Sequence, residues 1–261
     1  MRDDPSALTF AHIPPRLLDR YEFISYGHAA ELLGTSFRDE WEDILTSLDR
    51  FSLTIEDITK GGGNESDIPK KFDAVLYPRG WREIRISGDL AVKLFPRQRG
   101  QRAIPKEPAE IVTLTGYIDG HNIDFIKGRV AFDLEWNSKD QTFDRDILAM
   151  RTYFECGLID VGIIVTRAED LNEIFRALGP AVKSKYGAST TWLGKLTYRL
   201  DSRRQGGCPI MCVGIRQGCV TRLPIQATDT DENSQKTEMG QTGHEGQEGR
   251  HEEGRKERED G

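Results

Sequence analysis

Three acidic residues stand out by type and spacing: Asp124, Asp133 and Glu135. Carboxylates gathered on one side of an element are hard oxygen ligands. Like charges held that close repel unless a cation joins them. Mg²⁺ is the usual partner, with one or two carboxylates, waters and phosphate oxygens completing its shell. Mn²⁺ is expected to substitute. The alternative for alternating acids is the solvated face of an ordinary strand.

Whether the acids meet depends on the elements that carry them. Residues 123–126 and 130–136 are β-prone runs, and Lys127-Gly128 between them is a turn signal. In the second run Phe132, Leu134 and Trp136 alternate with Ala131, Asp133 and Glu135, so both acids face away from the bulky apolar set. A two-residue loop at Lys127-Gly128 sets Asp124 opposite Ala131 and diagonal to Asp133, with all three acids on one face. A one-residue slip would turn Asp124 to the other face.

Asp124, eight residues, then Asp133-Leu134-Glu135 resembles the PD-(D/E)xK nuclease motif. The similarity is to the restriction endonuclease group of BglII, BstYI and BamHI. Other features follow in order: Gly62-Gly63-Asn64, Gly80-Trp81-Arg82-Glu83, Asp124 to Ala131, the run 159–165, Arg204-Gln205-Gly206-Gly207 and the run 208–215. The resemblance spans roughly residues 25 to 216. It implies an α/β fold with a mixed central sheet flanked by helices, the restriction-endonuclease-like core. It also implies Mg²⁺-dependent hydrolysis of double-stranded DNA at a specific palindromic site, with a GATC centre and 5′ overhangs. Asp124 and Asp133 then hold the metal. Glu135 stands where many relatives have lysine and either accepts a proton from the attacking water or completes a second metal site. Glu83 is a fourth candidate beside them, the alternative being a salt bridge to Arg82 or Arg85. Two cuts on a symmetric target call for a homodimer, and a restriction enzyme is paired with a cognate DNA methyltransferase.

Composition narrows the rest. The chain has 261 residues and net charge −7. Residues 226–261 hold eleven acidic and five basic residues, no aromatic and a single Met239, which predicts a disordered tail. Residues 1–225, the expected catalytic domain, hold 32 acidic and 31 basic residues, so DNA binding requires the cations to cluster. Cys156, Cys208, Cys212 and Cys219 form no CxxC and have no histidines at zinc spacing. No run approaches the ~20 apolar residues of a membrane span, and Met1-Arg2-Asp3-Asp4-Pro5 is unlike a signal peptide. The expected compartment is the cytoplasm.

Along the chain, residues 28–51 show helical periodicity, split near Gly34-Thr35-Ser36 with Ser36 as a candidate cap. Residues 78–84 read as a short helix or turn, and 86–95 and 111–118 as strands. Between those strands Arg97, Arg99, Arg102 and Lys106 form a basic loop suited to phosphates. Asn137, Ser138, Lys139, Asp140 and Gln141 form a polar stretch able to meet base edges, or else a loop ending in a helix cap from Asp140 or Thr142. Residues 143–156 are helical, 159–165 a strand covered on both faces, and 168–178 a second helix. Residues 180–204, with Arg203 and Arg204, read as a DNA-facing segment, and 208–215 as a last buried strand. Two other function classes remain open at this point: a structure-selective repair or resolvase nuclease of the same fold, and a DNA-binding module whose acidic face is inert.

Overall fold

The computed structural model describes residues 2–4, 11–60 and 67–221. The readings placed on Gly62-Gly63-Asn64 and on the tail from residue 226 lie outside the described residues. In chain order the elements are α1 (Pro15–Leu18), β1 (Tyr21–Tyr26), α2 (Ala29–Thr35), α3 (Arg38–Arg50), β2 (Leu53–Thr54), α4 (Ile55–Thr59), α5 (Asp67–Leu76), β3 (Arg82–Leu94), β4 (Glu110–Lys127) and β5 (Val130–Glu135). Then follow α6 (Thr142–Glu155), β6 (Val161–Arg167), α7 (Leu171–Ala177), α8 (Pro180–Lys185), α9 (Leu193–Asp201), β7 (Ile210–Ile215) and β8 (Val220–Thr221).

Six strands form one mixed sheet in the order β1-β7-β6-β5-β4-β3. Its centre, β5-β6-β7, is parallel, while β1, β4 and β3 pair antiparallel at the flanks. All seven residues of β6 are buried, as a strand with helices on both faces must be. On one face Phe132, Leu134, Val165 and Val213 pack with α2, α3, α5 and α7. On the other, Ala131, Ile164 and Cys212 pack with α6 and α9 through Phe143, Ile147, Met150, Leu196 and Leu200. This α/β architecture is the one expected from the alternating strand and helix signals.

Several boundaries differ from those read off the sequence. The edge strand β1 was not anticipated, and it closes the sheet through a six-residue ladder to β7. The helical stretch after it splits as expected, but Phe37, not Ser36, is the N-cap of α3 and makes no side-chain cap bond. Residues 77–79 form one 3-10 turn, and β3 already starts at Arg82. Residues 180–204 are no open segment: α8 and α9 occupy most of it, and α9 buries Leu193, Leu196 and Leu200.

The basic loop joins two unusually long strands. β3 and β4 form an arm with few buried side chains until β4 reaches Ile123. Each register shift along this pair places more residues on β4 than on β3. Gly116 and Gly120, with φ of 65° and 76°, lie at two of these shifts, where a left-handed residue lets the longer strand bulge. The hairpin β4–β5 is fastened to α3. Asp43 accepts from Lys127 Nζ at 2.6 Å and Trp81 Nε1 at 3.0 Å.

Candidate active site

The turn of the acidic hairpin is Gly128-Arg129, not Lys127-Gly128. Lys127 pairs with Val130, Ile126 with Ala131 and Phe125 with Phe132. Gly128 has φ 55°, and a Cβ there would lie 2.7 Å from Glu40 Oε1, so this corner favours glycine on two counts. Moving a two-residue turn along by one position changes each partner by two, which preserves the face. Asp124 is therefore level with Asp133 rather than Ala131, still on the predicted side.

At that level backbone pairing ends and the two carboxylates bridge the strands. Asp133 Oδ1 accepts the N–H of Asp124 at 2.8 Å, and Asp124 Oδ2 accepts the N–H of Leu134 at 3.1 Å. The other side of β4 is irregular at the same place. Arg82 pairs with Ile126 and Ile84 with Ile123, so Asp124 and Phe125 together oppose Glu83. A bulge of this kind re-aims a side chain at the end of a ladder. It brings Glu83 near enough for its charge to act on Asp124. Glu83 accepts from Asn122 Nδ2 at 3.3 Å, while Arg85 pairs instead with Asp119.

Glu135 lies two residues on from Asp133, on the face under α6. Thr142 Oγ1 donates to its Oε2 at 3.2 Å, and Arg145 Nη2 lies 3.3 Å from its Oε1. Thr142 Oγ1 also lies 2.7 Å from Lys139 O, so its one proton is shared between the two acceptors, and the N-cap of α6 is Gln141. A further carboxylate, Asp146, enters from α6 and was not singled out in the sequence. The signal was present: Asp146 interrupts the apolar stripe of Phe143, Ile147 and Met150. Arg145 Nη2 lies 2.9 Å from Asp146 Oδ1.

Asp133 is 4% exposed, Glu135 8% and Asp146 2%. Asp124 is exposed by contrast, yet partial desolvation raises its carboxyl to about 6, with repulsion from Glu135 and Glu83 adding to it. Burial also pushes Asp146 up to about 8, with repulsion from Glu135 adding to it. Asp133 is held well above the ordinary carboxylate range by burial, then by the charges of Asp124 and Asp146. Asp133 Oδ2 and Asp146 Oδ2 have no hydrogen-bond partner. Buried carboxylate oxygens without donors are costly, and an all-oxygen donor set fits a hard divalent cation. Among the described residues, the group of three ligating side chains with atoms within 4.8 Å of one another is Asp3, His28 and Glu31 at the surface. The sheet acids do not close on one point as tightly, because one oxygen each of Asp124 and Asp133 is bound to backbone and Glu135 turns toward α6.

The residues expected to meet DNA fall into two groups. Arg97, Arg99 and Arg102 are exposed at the tip of the β3–β4 arm. Lys139 and Gln141 are exposed beside the acids, while Asn137, Ser138 and Asp140 are partly buried. The 137–141 stretch is stitched to residues 185–191: Thr191 N–H donates to Ser138 O, Asp140 N–H to Ser189 O, and Asn137 Nδ2 to Lys185 O. Asp140 also pairs with Lys195 at 3.1 Å. Beneath them Arg167, 1% exposed, donates to Thr190 Oγ1 at 2.8 Å and lies over the stacked rings of Phe175 and Tyr186. Arg203 is exposed, whereas Arg204 is tied to Asp144. The structure thus groups Asp124, Asp133, Glu135 and Glu83, and keeps the basic arm tip on a separate projection.

A family model for the restriction endonuclease BglII/BglIII matches residues 21–215, which include every strand of the large sheet and all four of these acids. The chain belongs to the BglII/BglIII restriction endonuclease family. A search of curated proteins finds no match. As a member of that family this endonuclease is a DNA-cleaving hydrolase that acts on double-stranded DNA. Among its described residues no helix is long and apolar enough to cross a membrane.

Proposed function

We propose that this endonuclease is a Mg²⁺-dependent type II enzyme that cuts both strands of a palindromic, GATC-centred site as a homodimer. The observation that carries the reading is the reciprocal clasp of Asp124 and Asp133. Each uses one oxygen on the opposite strand's backbone, which fixes both carboxylates without exhausting their ligand capacity. Asp124, Asp133 and Glu135 are the residues that would hold the metal. A bound divalent ion supplies charge neutralisation on the phosphate and a more acidic water.

The chain's own groups do the rest. Asp124 and Asp133 would fix where the ion sits at the end of the β4–β5 ladder, and through it where the reacting phosphate is drawn. Glu135, steadied by Thr142, accepts a proton from the attacking water. Glu83 adds negative charge next to Asp124 and raises the site's demand for a cation. Arg97, Arg99 and Arg102 grip backbone phosphates without reading sequence, and the 137–141 stretch meets base edges. On this reading the enzyme works in the cytoplasm, with a cognate methyltransferase protecting host DNA.

The test is digestion of one sequenced plasmid with Mg²⁺, or with Mn²⁺ in its place, followed by mapping of the ends. Discrete fragments with GATC-centred ends are expected from the wild type, and no cutting from Asp124→Asn, Asp133→Asn or Glu135→Gln. Full cutting by Asp124→Asn would end the assignment. Cleavage confined to branched substrates would point to a repair or resolvase nuclease instead.

A further inference from the structure

Asp146 has no place in the motif that the other acids form, yet it is the most deeply buried of the site's carboxylates. Arg145 Nε and Nη2 both donate to its Oδ1, at 3.0 and 2.9 Å, and its Oδ2 has no partner. The same Nη2 lies 3.3 Å from Glu135 Oε1. One positively charged nitrogen is thus lodged between carboxylates from two different elements, β5 and α6. An ordinary ion pair between neighbours on a helix needs neither the second carboxylate nor a buried oxygen left without a donor. The cation that fills the gap is open to exchange from solvent: the Arg145 side chain is 65% exposed, while the Glu135 and Asp146 side chains are 10% and 3% exposed.

We propose that Glu135 and Asp146 form a second divalent-cation subsite beside the Asp124–Asp133 pair, which the guanidinium of Arg145 fills until an ion displaces it. This rests on the nuclease reading above. Two carboxylates plus waters are a sufficient protein contribution for Mg²⁺ or Mn²⁺, whose bonds of about 2.1 Å draw oxygens closer than a guanidinium nitrogen does. Asp133 lies within range of the same guanidinium charge, so the two subsites share one field. Displacement leaves Arg145 at the mouth of the site with a free planar fork, a group suited to gripping a phosphate with two hydrogen bonds. Glu135, a carboxylate, brings no positive charge to that phosphate; the released Arg145 does.

The experiment is Mn²⁺ titration of the full chain by calorimetry and by the resonance signal of free Mn²⁺, without DNA. The wild type is expected to take up two ions. Asp146→Asn should lose the weaker ion and keep the tighter one. Arg145→Met should keep both and bind the weaker one several-fold more tightly, because the competing cation is gone. Circular dichroism checks folding, and if Asp146→Asn fails to fold, Arg145→Met decides, since its side chain is exposed. If Asp124→Asn removes one ion while Asp146→Asn and Arg145→Met titrate like the wild type, this proposal is overturned and the nuclease reading stands. If Asp124→Asn leaves both ions in place, the nuclease reading itself falls.

Discussion

Replacing Asp124 by Asn should make the ion-free protein more stable while abolishing its activity. The carboxyl of Asp124 rises from its ordinary value of 3.8 to about 6, chiefly because the groups packed around it displace part of its water, although the residue still reaches solvent. A tenfold change in acidity is worth about 1.4 kcal/mol, and solvent at the exposed side of Asp124 screens much of the full shift, so at about pH 8 the ionised group costs the fold about 1 kcal/mol. Asn keeps an oxygen for the Leu134 N–H, so the clasp between β4 and β5 survives the substitution. It removes the charge that repels Glu135 and Glu83. For a domain of this size the stabilisation corresponds to a rise in Tm of about 2–4 °C. The assay is thermal denaturation of both proteins in EDTA at about pH 8, repeated with Mg²⁺. The wild type should gain several degrees on adding Mg²⁺ and the variant should gain little, since only the wild type binds the ion through Asp124. A variant less stable than the wild type in EDTA would refute the argument that the acids strain the fold. A variant that gains as much from Mg²⁺ would refute the assignment of the ligand.

Other expectations follow from the same geometry. The carboxyls of Asp124 and Asp146 are raised to about 6 and about 8. Folded protein therefore binds more protons than unfolded between these values and about 4, and their contribution to stability is lost as pH rises through about 6 and then 8. Urea denaturation in EDTA at about pH 5 and about pH 8 measures the loss, and Mg²⁺ should reverse it more strongly at the higher pH because ion binding expels those protons. Changing Arg97, Arg99 and Arg102 together to Gln should weaken binding to all DNA sequences alike. The slope of log K against log salt should become shallower by about 3 if each contacts one phosphate, as read by fluorescence anisotropy in Ca²⁺. Arg167→Lys keeps the charge but loses the fork that holds Thr190 and the stack over Phe175 and Tyr186. It should cost roughly 2–4 kcal/mol in urea denaturation and relax site preference, seen as extra bands in a plasmid digest.

How much of this was legible depends on the physics of each signal. The face shared by Asp124, Asp133 and Glu135 was readable because side chains alternate along a strand. It tolerated the wrong turn because both candidate two-residue loops preserve parity. Helix α6 and strand β6 were readable from their apolar periods within one or two residues. The bulge that sets Glu83 opposite Asp124 was not, because register is decided by how two distant segments meet. Asp146 needed the packing of α6 over β5, although a charged residue inside an apolar stripe was its trace in the sequence. The cations of residues 180–204 misled because composition does not reveal partners: Lys195 and Arg204 serve Asp140 and Asp144.

The irregular pairing of β3 with β4 matters beyond the catalytic centre. A long two-stranded ribbon with Val92, Leu94, Ile111 and Leu114 in solvent offers other chains a free border of amide and carbonyl groups. Flat borders of this kind recruit further copies edge to edge and end in fibrils. The extra residues carried by β4 break the ladder between Arg82 and Leu90, so the regular stretch is limited to the five pairs from Leu90–Leu114 to Leu94–Glu110. Deleting the extra residues around Gly116 and Gly120, away from the acids, would give an enzyme whose chemistry is intact and whose solutions cloud on standing.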